Sequence, residues 1–120
     1  MYLIKVRFES NIKGVYTEET ETAEDTYDAE TKYNQALNRW LGNLTGVSSS
    51  SIDNINPIEF SSLYKGLSER KPRKSPDYKV MRELRNNLKL HIIQELINLG
   101  NTNLLEGEQE RKFEITMEEV

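Results

Sequence analysis

From Tyr2 to Glu9 the side chains alternate, with Tyr2, Ile4, Val6 and Phe8 on one side and Leu3, Lys5, Arg7 and Glu9 on the other. A period of two predicts a half-buried strand. Ser10-Asn11-Ile12-Lys13-Gly14 is rich in turn formers, and Val15-Tyr16-Thr17 is expected to return as a short second strand, closing a hairpin. The period then changes. Thr22, followed by Asp25, resembles a capping box, and Tyr27, Tyr33, Ala36, Leu37, Trp40, Leu41 and Leu44 recur at helical spacing, which predicts a helix from about 23 to 44. Gly46 and the serine run Ser48 to Ser51 break the pattern and predict a flexible loop near 45–55.

Asn56-Pro57 opens a second helical pattern, with Phe60, Leu63, Tyr64 and Leu67 on one face of a short helix over 57–67. Four bases and Pro72 in 68–74 predict an exposed loop near 68–75. The strongest helical signal follows. Ser75 is suited to an N-cap, Pro76 to the first helical position and Asp77 to the positive end of the helix dipole. Met81, Leu84, Leu88, Ile92, Leu96 and Leu99 form a stripe, and Gly100-Asn101 is a stop signal suited to a left-handed C-cap. In its second half Leu90, Ile93 and Ile97 widen the apolar arc, which points either to burial between two layers or to an interface with a second copy, hence a homodimer or higher oligomer. Lys112 to Met117 alternates again and predicts a closing strand paired with the first.

The expected architecture is α+β, a small antiparallel sheet (N-terminal hairpin plus C-terminal strand) packed against about three helices in the order β-β-α-α-α-β. At 120 residues the chain is expected to be a single compact domain over 1–120 with one core. Hydrophobic residues are 36% and charged residues 30%, so that core is expected to be modest. Cysteine is absent and His91 is the only histidine, which excludes disulfides, thiolate nucleophiles and multi-histidine zinc sites. No metal or cofactor is expected. No run approaches the roughly 18 apolar residues of a membrane span, and no signal-peptide pattern opens the chain, so no membrane association and a cytoplasmic location are expected.

The net charge of -4 is segregated. Residues 18–30 carry Glu18, Glu19, Glu21, Glu24, Asp25, Asp28 and Glu30 with no base, and 106–120 carry six acids against Arg111 and Lys112. Between them, 65–89 carries Lys65, Arg70, Lys71, Arg73, Lys74, Lys79, Arg82, Arg85 and Lys89 against three acids. These blocks either pair within the fold or present opposite fields to partners.

Catalytic patterns are thin: there is no Gly-rich phosphate loop, no nucleophile elbow and no facing carboxylate dyad, so a non-enzymatic role is expected. Two binding surfaces are candidates. The acidic set Glu18, Glu19, Glu21, Glu24, Asp25 and Asp28 suits a basic partner protein, which fits an interaction or inhibitor protein of the kind that viruses and mobile elements use against host defence, anti-CRISPR-like in role. Alternatively, Arg70, Lys71, Arg73, Lys74, Lys79, Arg82, Arg85 and Lys89, flanked by Tyr64 and Tyr78, suit the phosphates and bases of nucleic acid or a nucleotide. Trp40, on a helical stripe, is expected in the core.

Overall fold

The computed structural model describes residues 1–55 and 78–120. Its elements are β1 (Tyr2–Glu9), β2 (Tyr16–Ala23), α1 (Thr26–Thr45), α2 (Ser49–Asp53), α3 (Tyr78–Asn101) and β3 (Lys112–Glu119). The fold is α+β, with the described helices on one side of a three-stranded antiparallel sheet of order β2-β1-β3, α2 packing on the other two helices. The helix expected over 57–67, the loop near 68–75 and the cap Ser75 lie outside the described residues.

The alternation of β1 sets the layers. Ile4 and Val6 are buried beneath the helices, while Lys5, Arg7 and Glu9 lie on the opposite face. Registers Val6↔Ile115 and Phe8↔Phe113 put the apolar residues of β3 on the same inner face. Across that face lies Trp40 of α1, its ring 5.6 Å from Phe8 and 5.9 Å from Phe113. Leu37, Leu41, Ile52, Met81, Leu84, Ile93 and Ile97 complete the core. Val120 N–H donates to the Met1 carbonyl at 2.9 Å, so the ends of the described chain lie side by side.

Four expectations are corrected. The second strand is eight residues long, not three: Thr20 and Thr22 favour extended backbone, and Glu18, Glu19 and Glu21 are tolerated because β2 is an edge strand with only Ala23 buried. The acids of 18–22 therefore stand on a strand, and the cap of α1 is Asp25, whose Oδ1 accepts from Asp28 N–H at 2.8 Å, rather than Thr22. The stretch expected as a loop near 45–55 contains α2, held by burial of Ile52. Finally, Gly100 and Asn101 lie inside α3. Among the described glycines only Gly14, Gly46 and Gly107 have positive φ. Gly100 is small for a different reason: a Cβ there would approach the Arg111 guanidinium to 3.2 Å. Asn101 receives Arg111 N–H at 2.7 Å and donates to the Arg111 carbonyl at 3.1 Å, which aims the chain into β3.

The face of α3 is also rotated from the expected stripe. Its buried line is Met81, Leu84, Lys89, Ile93 and Ile97, whereas Leu96 and Leu99 are exposed. Ile93 and Ile97, 0% and 5% exposed, and the half-buried Leu90 belong to the core of this chain and do not form a free interface. The sheet and α1 together claim the wide apolar arc of this helix.

Trp40→Ala is expected to cost about 3–5 kcal/mol and Leu37→Ala about 2–5 kcal/mol, because both leave unfilled space between sheet and helix. Chemical denaturation reads both losses, and Leu99→Ala, on the exposed side, should stay within about 0.5 kcal/mol of wild type.

Candidate functional site

Arg82, Arg85 and Lys89 of the basic segment do not form an open phosphate-binding face. Lys89 is 1% exposed, and its Nζ donates to Asn38 Oδ1 of α1 at 2.8 Å and to Asp53 Oδ1 of α2 at 2.9 Å. A lysine is buried only where its ammonium is paired, and here one ammonium joins three helices. This corrects its expected role in anion binding. Arg82 donates to the Glu30 carbonyl at 3.2 Å and faces the Glu30 carboxylate at 3.7 Å. Arg85 donates to the Ile55 carbonyl at 3.3 Å. Asn34, Asp53, Arg82, Arg85 and Asn86 line a cavity of about 220 Å³ where α1, α2 and α3 meet. Tyr78 and Lys79 open α3, while Tyr64, Arg70, Lys71, Arg73 and Lys74 lie outside the described residues.

The acidic set is divided by the pleat of β2. Glu18 projects to the face that none of the described helices covers, where its carboxylate meets Lys5 at 3.4 Å and Arg7 at 3.3 Å and accepts the Tyr16 hydroxyl. Glu19 and Glu21 project to the helix side. Glu19 pairs with Arg39 of α1 and accepts from Trp40 Nε1 at 3.2 Å, and Glu21 lies 3.9 Å from Lys32. Asp28 also faces Lys32, at 3.3 Å, and Asp25 is engaged as the cap of α1. Glu24 is exposed just beyond β2. The acids of β2 and of the first turn of α1 thus pair with bases of β1 and α1. Of the described ion pairs, only Glu30–Arg82 joins the acidic and basic blocks in the way the charge pattern allowed.

Between β2 and α1 lies a groove of about 340 Å³. Ile4, Val6 and Ala36 supply its apolar walls, and Glu19, Glu21 and Arg39 its charged rim. The inner-face partners of Val6 and Ile4 are Glu19 and Glu21, so carboxylates rather than apolar side chains border the groove on the β2 side.

Hydrogen bonding from Tyr16 is the leading cause that lowers the Glu18 carboxyl below the usual carboxylate range, with the charge of Lys5 and the bond from Arg7 adding to it. The same bond raises the Tyr16 hydroxyl, and burial raises that of Tyr33. Among the described residues no group of three or more His, Asp or Glu side chains is placed to hold a metal ion, and no helix is long and apolar enough to cross a membrane. His91 is exposed on α3.

Asn38, Asp53, Arg39 and Lys32 are the residues that sequence reasoning missed. Asp53 is a single acid in a serine-rich stretch and carries no pattern. Lys89 did carry one: Met81, Arg85, Lys89, Ile93 and Ile97 recur every fourth residue, a second stripe in which charged residues take core positions. No known family, characterised protein or solved structure matches this chain.

Asp53→Ala leaves the buried ammonium with Asn38 alone and is expected to cost about 1–3 kcal/mol. Lys89→Met, which fills similar space without a charge, should cost less than Asp53→Ala, and urea denaturation of the two variants compares them. The Glu18 carboxyl gives a pH test. Its folded value is lowered, so its contribution is present above the ordinary carboxylate range and is lost as pH falls through the lowered value. Tyr16→Phe removes the leading cause, and NMR titration should show the Glu18 midpoint move upward.

Proposed function

We propose that the protein is a non-enzymatic interaction module that binds a partner protein through the charged side of its sheet, with inhibition of that partner as its action. The observation that carries this reading is the contrast between the two charged blocks. Lys89, Arg82 and Arg85 are turned inward to hold helices together, whereas β2 keeps its carboxylates on an exposed edge strand. A buried ammonium with two partners is unavailable to a phosphate, while exposed ion pairs contribute only about 0–1 kcal/mol each and exchange readily for an incoming charge. The face that none of the described helices covers supports the same reading: Lys5, Arg7 and Glu9 stand beside Glu18, Thr20 and Thr22 on one flank and Lys112, Glu114 and Thr116 on the other, a mixed-charge surface suited to protein complementarity. The proposal sets the protein in the cytosol, in keeping with its lack of cysteine, and an anti-defence target of the anti-CRISPR kind is within its scope.

Affinity capture from the native host, with and without nuclease treatment, tests it. A protein retained after nuclease treatment, and lost when Glu18 and Glu21 are both changed to lysine, is the expected result. The competing outcome is nucleic-acid binding through 65–89: oligonucleotide affinity that falls steeply with salt, with a slope that drops by about one for each phosphate contact removed, as in Arg73→Glu, would move the function to that segment.

A further inference from the structure

We infer that the free edge of β2 is the docking site for an extended, basic segment of the partner, which adds as a fourth strand and seats a lysine or arginine side chain in the groove between β2 and α1. This rests on the protein-binding reading above and names the partner's chemistry and mode of attachment.

The backbone identifies the edge. Ser10 N–H donates to the Val15 carbonyl, so in the ladder that continues from this pair the β2 residues bonded to β1 are Thr17, Glu19, Glu21 and Ala23. Tyr16, Glu18, Thr20 and Thr22 therefore direct their N–H and C=O groups away from the sheet. Lys32 Nζ covers the Thr22 carbonyl at 2.8 Å, which among the described residues leaves Tyr16, Glu18 and Thr20 as an open row. The opposite edge is capped to the same extent, at one described carbonyl, so charge and the groove beneath the strand distinguish β2. Val120 N–H donates to Met1, so Phe113 points its carbonyl outward from β3, and Gln94 Nε2 of α3 caps it at 2.9 Å. An open row of donors and acceptors is a template for another strand.

Charge selects the occupant. Glu18, Glu19, Glu21 and Glu24 lie along or just beyond this edge, and β2 itself contains no base. A second copy of β2 would bring like charges together, which disfavours pairing of two copies through this edge. A basic strand meets Glu19 and Glu21 on the helix side, whereas on the outer face Glu18 is shared with Lys5 and Arg7. Its side chains on the helix side would project beside Glu19 and Glu21, over the 340 Å³ groove. There the apolar walls of Ile4, Val6 and Ala36 suit the methylene stem of lysine or arginine, and Glu21 suits its charged head, Glu19 being already paired with Arg39 of the same rim. Glu21 is the freer of the two rim acids, its only described ion pair lying at 3.9 Å.

The chain reports on this site directly, since Trp40 is its only tryptophan and its Nε1 donates to Glu19. The probes are two eight-residue peptides, one alternating valine or threonine with lysine and arginine, the other carrying glutamate in place of each base. The basic peptide should change Trp40 fluorescence and slow hydrogen exchange at the amides of Glu18 and Thr20. Thr20→Pro, which removes an outward donor but no ladder bond, and Glu21→Lys should each weaken binding by about tenfold, the loss of one net hydrogen bond or charge contact. Glu21→Lys keeps the test decisive if the proline variant fails to fold. Protection at β3 instead of Glu18 and Thr20, or equal binding of the acidic peptide, overturns the inference. So does capture of the same host partner by wild type and both variants alike, which leaves the protein-binding reading standing. Capture of no protein at all removes that reading and the inference with it.

Discussion

Trp40 is held on three sides, and the remaining layers take their positions from it. Its ring lies between Phe8 of β1 and Phe113 of β3, and its indole N–H donates to Glu19 of β2, so one α1 side chain touches all three strands. The aromatic faces contribute through burial and tilted ring contact, and the polar edge satisfies the one donor that burial would otherwise strand. This arrangement fixes the distance and rotation of α1 against the sheet. It also brings a carboxylate of the edge strand under the sheet, where it borders the groove beside β2.

The second constraint lies on the far side of α1. Lys89 reaches from α3 to Asn38 and Asp53, and the five-residue α2 is held by that contact together with the buried side chain of Ile52. A helix of five residues has no stability of its own, so its place is set by packing and by this one ammonium. Arg82 and Arg85 extend the same polar seam along α3. Arg82, Arg85 and Lys89, which resemble part of a nucleic-acid surface in the sequence, are in the folded chain the joints between helices.

Helix side chains reach each sheet edge at one described outward carbonyl. Helix α3 lies close enough to β3 for Gln94 to hydrogen-bond the Phe113 carbonyl and for Asn101 to hold the backbone of Arg111 just before the strand. Beside β2, among the described residues, the only helix side chain that reaches an outward carbonyl is Lys32, at Thr22. Acidic side chains guard the rest of that edge against pairing with itself while leaving it open to a strand of opposite charge.

Local pattern determined much of this protein. The alternation of Tyr2, Ile4, Val6 and Phe8 and of Phe113, Ile115 and Met117 specified two strands and their inner face, and the spacing of Ala36, Leu37, Trp40 and Leu41 specified the buried side of α1, because each of these elements has a single apolar face. The full length of β2 was not legible, since a strand with one buried residue shows no apolar alternation and its threonines and glutamates read equally well as a helix start. The face of α3 was ambiguous for the opposite reason: with apolar residues around half its circumference, only the positions of α1 and the sheet decide that Ile93 and Ile97 go inside and Leu96 and Leu99 stay out. The role of Lys89 belongs to the tertiary structure entirely, because burying an ammonium is favourable only where two acceptors meet it, and these stand 51 and 36 residues away in the chain.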